Sequence, residues 1–335
     1  MTDKNAFTIE RKKLPLLYPW KIARGETLVK ENFIVKWQLD KIQGMGEVAP
    51  STRYGETHEQ ILKDFDYFLS VYNQEELDFE EFSGFLNTLE IARSLRFGLE
   101  STYIHTRLRK KKIPVHTAFN LDVPKSIKTS FSIPIMELEK LKEFVPKYSR
   151  YKSLKIKVDA KTGLETLKLV SELTNQPLRI DANEAWTDFD NFMKFLFELK
   201  EMNVEFIEQP FPANCEMEYE ELKKKSPYPI IADESVTDEA DFDKLANQFH
   251  GINVKLMKAG GYINAIYLLK QAKKYKMKTM LGCMIETTLG ISSAIEISSL
   301  ADYLDLDGFL HLQEDPYKLV TEKHGQLFLS KTKFT

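Results

Sequence analysis

Hydrophobic and polar positions divide the chain into two parts with different periodicities. Up to about Val115 the pattern is mixed, and "FIVKWQL" (33–39) alternates apolar and polar residues as a strand does. It runs toward "GMGEVAPSTRYGET" (44–57), which is rich in turn formers. The stretches 57–72 and 83–112 place apolar residues at the spacing of amphipathic helices. The first part is therefore predicted to combine strands with helices.

Beyond this part, short apolar runs alternate with helical patterns. The eight strand candidates are 131–135, 153–158, 178–183, 205–210, 229–235, 251–256, 278–284 and 305–312. Alternation of strand and helix is typical of βαβ units in a parallel sheet. Eight repeats over roughly 180 residues favour a closed (β/α)₈-type barrel over an open doubly wound sheet. A total of 335 residues leaves room for a second, smaller domain.

Composition excludes several classes of protein. Hydrophobic residues make up 43% of the chain, which is enough for a large core. There are 47 Lys and Arg residues against 50 Asp and Glu, so the net charge of −3 indicates neither a nucleic-acid nor a membrane partner. The start has no apolar signal region, and no run approaches the roughly 20 apolar residues of a membrane span. Two cysteines, Cys215 and Cys283, make no disulfide framework, so we expect a cytoplasmic protein.

Polar and charged groups stand at the ends of the predicted strands. In a barrel of this type, the chemistry lies at the carboxyl ends of the strands. The groups found there are Lys155, Lys157, Asp181, Asn183, Glu208, Asp233, Glu234, Lys255, Cys283, Asp305 and Asp307. A single charge at a strand end is usually solvated or ion-paired, and we assign Asp159 and Glu205 to that class. The remaining groups recur at about one βα unit, so we expect them to gather around one mouth of the barrel.

Two lysines share one face of the second barrel strand. Residues two apart in a strand point to the same side, so Lys155 and Lys157 are both expected to point into the barrel. Two neighbouring ammonium groups repel each other, which disfavours charging both. We therefore expect one of them to act as a neutral amine, and hence as a base, near neutral pH.

Three acids on consecutive strands predict a metal site. Asp181, Glu208 and Asp233 offer hard oxygen ligands, which suit Mg²⁺ better than zinc. A bound Mg²⁺ would hold a substrate carboxylate and stabilise the charge that builds on it. Lys255 is expected on the side opposite Lys157. A metal flanked by two amines suits removal of a proton α to a carboxylate.

Six stretches together resemble the enolase superfamily, in its mandelate racemase/muconate-lactonizing branch and muconate-lactonizing subgroup. They are "LKIKVD", "RIDANEAW", "FIEQPF", "IADES", "NVKLMKAGG" and "GCMIET". The resemblance covers nearly the whole chain. It implies a (β/α)₇β TIM-like barrel with an N-terminal α+β capping domain. The implied segments are a cap at 1–118, a barrel at 119–312 and a tail at 313–335 that returns to the cap.

The resemblance also implies roles for individual residues. Lys157 and Lys255 resemble the two acid/base lysines of the family. Lys155 resembles the partner that tunes Lys157 and contacts the substrate carboxylate. Lys258 is a competing choice, but the family pattern puts the base on the strand, so we assign Lys258 to the loop or the surroundings of the site. The implied Mg²⁺ ligands are Asp181, Glu208 and Asp233.

Asp305 and Asp307, in "YLDLDG", separate the reactions of the subgroup. These reactions are muconate cycloisomerisation, o-succinylbenzoate synthesis, N-succinylamino acid racemisation and dipeptide epimerisation. The D-x-D pair resembles the signature of dipeptide epimerases of the L-Ala-D/L-Glu type, where it holds the free α-ammonium of the substrate. Two carboxylates on one face suit an ammonium group. The expected reaction is a 1,1-proton transfer that inverts the second residue of an L-Ala-L-Xaa dipeptide.

Alternatives remain open at this stage. One is an o-succinylbenzoate synthase or N-succinylamino acid racemase, and a more remote one is a binding protein that has lost turnover on the same fold. The alternative interpretation of the aspartate pair is that one of the two caps a turn before Gly308. The identity of Xaa and the oligomeric state are left open as well.

Substrate specificity is expected in two loops, near 18–27 and 44–57. Arg24 in the first loop is a candidate partner for an acidic substrate side chain, although an arginine in a loop is more often solvated. Ser132, in "TSFSI", is a candidate contact to the substrate backbone. Cys283 is expected to form a small polarizable wall rather than a nucleophile.

Overall fold

The computed structural model describes residues 7–73 and 76–330. The chain begins with an antiparallel sheet of three strands, β1 (Phe7–Ile22), β2 (Gly25–Leu39) and β3 (Ile42–Val48). The predicted strand 33–39 lies in β2. Residues 44–48, the start of the stretch 44–57 that was read as rich in turn formers, instead belong to strand β3.

Two glycines explain why β3 was read as a turn. A Cβ at Gly44 would come within 2.0 Å of the Thr106 hydroxyl, and one at Gly46 within 2.3 Å of the Gly98 carbonyl. Both neighbours belong to a helix that crosses the sheet. The glycines therefore allow close packing of helix on strand rather than a turn.

Helices cover this first sheet. They are α1 (His58–Val71), α2 (Phe79–Asn87), α3 (Arg93–Lys111) and α4 (Val115–Ala118). The single helix predicted over 83–112 is wrong, since the chain breaks between α2 and α3. The amide of Ala92 there donates to the side chain of Asp64, 2.7 Å away, and not to a helical carbonyl. None of the helices in the described ranges is both long and apolar enough to span a membrane.

Eight parallel strands follow, each hydrogen-bonded to the next. They are β5 (Phe131–Ile133), β6 (Leu154–Lys157), β7 (Leu178–Asp181), β8 (Val204–Glu208), β9 (Ile230–Ala232), β10 (Gly251–Lys255), β11 (Lys278–Gly282) and β12 (Tyr303–Asp305), and a short strand β4 (Ile127–Lys128) precedes them. The Ser130 amide donates to the Leu304 carbonyl at 3.2 Å, which joins the first strand to the last. The predicted barrel is thus confirmed.

Helices occupy all seven connections between these strands. They are α5 (Leu138–Phe144), α6 (Gly163–Leu173), α7 (Phe189–Glu198), α8 (Glu216–Lys225), α9 (Phe242–Gln248), α10 (Leu256–Ala259), α11 (Tyr262–Lys274) and α12 (Thr288–Glu296). After β12 a 3₁₀ turn, Gly308–His311, stands where an eighth helix would begin. The architecture is (β/α)₇β, as the resemblance implied.

The last barrel strand was placed too late in the sequence. It was predicted at 305–312, but it pairs with β11 only over Tyr303–Asp305. The chain then turns, and a Cβ at Gly308 would collide with the Met284 carbonyl at 2.2 Å. Asp305 therefore ends the strand, and Asp307 lies beyond it.

The chain after the barrel packs against earlier elements. Strands β13 (Val320–Lys323) and β14 (Gln326–Leu329) form a small sheet with β4. Leu312 bridges to Leu16 in β1. The division into segments 1–118, 119–312 and 313–335 stays a prediction, and residues 1–6, 74–75 and 331–335 lie outside the described part of the chain.

Candidate active site

Both lysines of strand β6 lie at the mouth of the barrel. The Nζ atom of Lys155 lies 2.9 Å from Asp181 Oδ2, 2.9 Å from Glu208 Oε2 and 2.7 Å from Asp305 Oδ2. Lys157 Nζ donates to Asp181 Oδ2 at 2.5 Å. Both lysines are buried and border the same cavity, as their shared face predicted.

Carboxylates, not lysine repulsion, set the charge of Lys155. Burial alone would lower the pKa of Lys155, but Asp181, Asp305 and Glu208 outweigh it and hold the pKa well above its ordinary value. The neutral amine expected of one of the two lysines is therefore not Lys155. The repulsion argument overlooked the acids that neighbouring strands bring against this side chain. Lys155 is an ammonium group, suited to binding an anion.

Three buried carboxylates converge beside these lysines. Asp181 ends β7, Glu208 ends β8 and Asp233 directly follows β9, and one oxygen from each lies within 4.8 Å of the others. Burial and the nearby Asp181 raise the pKa of Glu208 to about 7, which shows how poorly the cluster tolerates a third negative charge. A divalent cation with oxygen ligands would relieve this repulsion. The donor set fits Mg²⁺, as predicted.

Lys255 stands across the barrel from Lys157. It ends β10, which is four strands away from β6 in a closed sheet of eight. Its Nζ donates to Asp233 Oδ2 at 2.8 Å. Burial would lower the pKa of Lys255, but the Asp233 carboxylate raises it above its ordinary value. The three carboxylates thus lie between two lysines on opposite walls.

Lys258 occupies a different position from Lys255. It lies in α10, where its Nζ contacts Asp233 Oδ1 at 2.6 Å and the Asn253 carbonyl at 3.2 Å. Its side chain is buried and does not border the cavity that Lys255 lines. The choice of Lys255 over Lys258 accords with this arrangement.

Asp305 and Asp307 are close to the lysines but differ in their surroundings. Asp305, the last residue of β12, pairs with Lys155 and accepts a 2.7 Å hydrogen bond from Ser130 Oγ. Asp307 lies in the turn, with φ −100° and ψ 1°, so strand alternation does not determine its direction. The expectation of two carboxylates on one strand face is therefore wrong in detail, although both border the cavity.

Two arginines of the N-terminal part, one in the β1–β2 turn and one in the loop after β3, bind acids at the mouth of the barrel. The predicted loop 18–27 is the end of the β1–β2 hairpin, and Arg24 stands in its turn. Arg24 Nη1 lies 2.6 Å from Glu234 Oε1 and 3.1 Å from Glu184 Oε2. Arg53 also binds Glu184, through two hydrogen bonds of 2.7 Å. Arg24 is thus already ion-paired, which leaves its guanidinium less available to an acidic substrate side chain than the sequence suggested.

The cavity bounded by these groups has a volume of about 720 Å³. Ser132 on β5 and Cys283 after β11 line it, together with apolar groups that sequence reasoning did not single out, Tyr54, Met284 and Ile285. Burial raises the pKa of Cys283 well above its ordinary value, which keeps the thiol protonated and agrees with a wall rather than a nucleophile. The structure records both cysteines as free thiols.

Comparison with known proteins gives consistent results. Residues 138–325 match the family described as enolase C-terminal domain-like. An L-Ala-D/L-amino acid epimerase of Pedosphaera parvula is 33% identical, over 94% of this chain and 93% of the relative. One of the same name from Flavobacterium johnsoniae is 32% identical, over 93% of each chain.

A solved structure extends the similarity to three dimensions. The dipeptide epimerase of Methylococcus capsulatus, complexed with Mg and the dipeptide L-Arg-D-Lys, superposes with a TM-score of 0.88. It is 26% identical, and the alignment covers 97% of each chain. The similarity therefore includes the N-terminal sheet as well as the barrel.

Proposed function

The chain belongs to the enolase C-terminal domain-like family, and from this premise we propose that it is an Mg²⁺-dependent dipeptide epimerase. It inverts the α-carbon of the second residue of L-Ala-L-Xaa dipeptides. The observation that carries the proposal is the placement of Lys157 and Lys255 on opposite walls of the barrel, with three carboxylates between them. Two bases on opposite faces of one carbon are what a 1,1-proton transfer requires.

The metal ligands and the three lysines have different roles in this reaction. Asp181, Glu208 and Asp233 would hold Mg²⁺, which when bound supplies positive charge against the substrate carboxylate and so acidifies the α-proton. The Lys155 ammonium pairs with the same carboxylate. Lys157 removes the α-proton from one face of the substrate, and Lys255 delivers a proton to the other. In the reverse direction the two lysines exchange roles.

Substrate class follows from two further carboxylates that line the cavity. Asp305 and Asp307 present negative charge there, which suits a free α-ammonium and repels a succinyl group. The relatives named as L-Ala-D/L-amino acid epimerases support an N-terminal alanine. We also propose that the protein acts in the cytoplasm without a nucleic-acid or membrane partner, in line with its net charge of −3.

Deuterium incorporation tests the proposal directly. The purified protein is incubated with Mg²⁺ in D₂O and a mixed L-Ala-L-Xaa library, and masses are read. Gain of one mass unit in particular dipeptides, absent when Lys157→Ala and Lys255→Ala are combined, is expected and identifies Xaa at the same time. No gain in any dipeptide, together with turnover of an N-succinylamino acid, would replace this proposal by the racemase of the same subgroup.

A further inference from the structure

The two carboxylates of the D-x-D pair differ in how many oxygens they have free. Both oxygens of Asp305 accept hydrogen bonds, Oδ2 from Lys155 at 2.7 Å, and Oδ1 from Ser130 Oγ at 2.7 Å and from Ser132 Oγ at 3.4 Å. In Asp307 a single oxygen, Oδ2, accepts from the Ser132 amide at 2.5 Å and from His311 Nε2 at 3.1 Å. Within the described ranges Asp307 Oδ1 accepts no hydrogen bond, and the residue borders the cavity. Asp307 is therefore the carboxylate of the pair that has one oxygen without a hydrogen bond.

His311 is the side chain that binds Asp307, beside the Ser132 amide. It is fully buried, and both ring nitrogens have partners, Nε2 at Asp307 and Nδ1 at the Tyr18 hydroxyl, 2.7 Å away. A ring nitrogen facing a carboxylate oxygen must carry the proton, so the network assigns the hydrogen to Nε2. Burial raises the pKa of Tyr18, so its hydroxyl stays protonated and is able to donate to Nδ1. Tyr18, His311 and Asp307 form one chain of hydrogen bonds.

This chain starts on a strand that is bound to the barrel at several points. Gln313 Nε2 donates to the Leu16 carbonyl at 2.9 Å, and the Ile135 amide donates to the Lys21 carbonyl at 2.9 Å. The His311 ring also packs against Trp20, with ring centroids 4.4 Å apart. Tyr18 and His311 therefore lie where β1 packs against the barrel.

We propose that Tyr18 and His311 are positioning residues that hold Asp307 with Oδ1 toward the cavity, so that this oxygen is oriented in advance to accept from the substrate ammonium. This inference rests on the proposed function, because it assigns the ammonium contact within that site. A carboxylate already held in its binding orientation loses no rotational freedom when the ligand arrives, which strengthens an ionic hydrogen bond. Through Tyr18, the N-terminal sheet thereby contributes to binding of the substrate ammonium at the end of the last barrel strand.

Calorimetry with two ligands isolates this contact. The Mg²⁺-loaded protein is titrated with L-Ala-L-Ala and with propionyl-L-alanine, which differs only in lacking the ammonium group. Wild type is expected to prefer the dipeptide. His311→Phe is expected to weaken binding of L-Ala-L-Ala about tenfold, the size of one charge-assisted hydrogen bond, and to leave propionyl-L-alanine within about twofold. His311→Gln keeps an amide donor toward Asp307 and is expected to recover most of the preference, and Tyr18→Phe to lose part of it.

Three results would overturn the inference. They are equal weakening of both ligands by His311→Phe, no weakening of either, and a wild type without preference for the dipeptide. Tyr18→Phe, which removes one oxygen, decides the question if His311→Phe does not fold. Failure of the proposed function is read separately, as absence of α-deuterium exchange in wild type, because the calorimetric comparison needs binding but no turnover.

Discussion

Arg53 donates two hydrogen bonds of 2.7 Å to the carboxylate of Glu184, which ties the loop before α1 to the loop after β7. Glu184 has a φ of 65°, in the left-handed region that a non-glycine residue seldom adopts. The same carboxylate accepts from Arg24, at 3.1 Å. Glu184 therefore binds two N-terminal segments, the turn between β1 and β2 and the loop before α1.

Loss of the Arg53 contact should weaken substrate binding more than turnover. Arg53→Met removes the bidentate pair and frees the loop that carries Tyr54 over the cavity. Because the Arg53 side chain is 35% exposed, we expect KM for the best dipeptide to rise only about fivefold, with kcat within about twofold. Steady-state kinetics measure both. Lys110→Met, which removes an exposed ion pair with Asp40, is the control and should change neither constant.

Single replacements of the two acid/base lysines should have opposite stereochemical effects. Lys157→Ala and Lys255→Ala each remove the base on one face, so both should lose epimerisation by about three orders of magnitude. Each variant keeps one base, and should still exchange the α-proton of one epimer in D₂O. Proton NMR of the L,L and L,D dipeptides measures the exchange. If both variants exchanged the same epimer, the assignment of the lysines to opposite faces would be wrong.

Metal binding should stabilise the fold through the carboxylate cluster. Mg²⁺ bound by Asp181, Glu208 and Asp233 favours the folded state by mass action, so the Tm of wild type should rise as Mg²⁺ is added. Glu208→Gln should lose most of that rise. Glu205→Gln is the matched control, since Glu205 lies on the same strand but pairs with Arg179. A thermal titration in which both variants lose the rise equally would count against the proposed ligand set.

How much of this site the sequence predicts depends on how far apart in the chain the contacting residues lie. The lysines and the metal-ligand acids were predictable because they lie at or next to the ends of the barrel strands, and a barrel brings strand ends together whatever the loops do. Arg53 and Glu184 are 131 positions apart, and Tyr18 and His311 are 293 apart. No local pattern signals such pairs. Strand β12 ends earlier in the chain than predicted, and a break separates α2 from α3. Both features depend on packing, which hydrophobic periodicity does not report.

A second pair of carboxylates lies buried where β3 meets the barrel. Glu47 accepts hydrogen bonds from the Thr287 amide at 3.0 Å and from the Gly290 amide at 3.0 Å, both in the first turn of α12 or next to it. Glu286 accepts from the Met284 amide at 2.8 Å. Burial, followed by the charge of Glu47, raises the pKa of Glu286 to about 8. One proton is therefore retained on Glu286 near neutral pH.

Stability should consequently fall as pH rises toward 8. The ordinary pKa of a glutamate is 4.5, so between that value and about 8 the folded protein binds a proton that the unfolded chain has released. The free energy of unfolding then decreases by up to about 1.4 kcal/mol per pH unit within this window. Glu286→Gln carries no such proton, and its stability relative to wild type should increase steadily from pH 5 to pH 8. Urea unfolding at several pH values measures the difference, with exposed Glu220→Gln as the control, and a pH-independent difference would show that Glu286 is ionised in the folded state throughout.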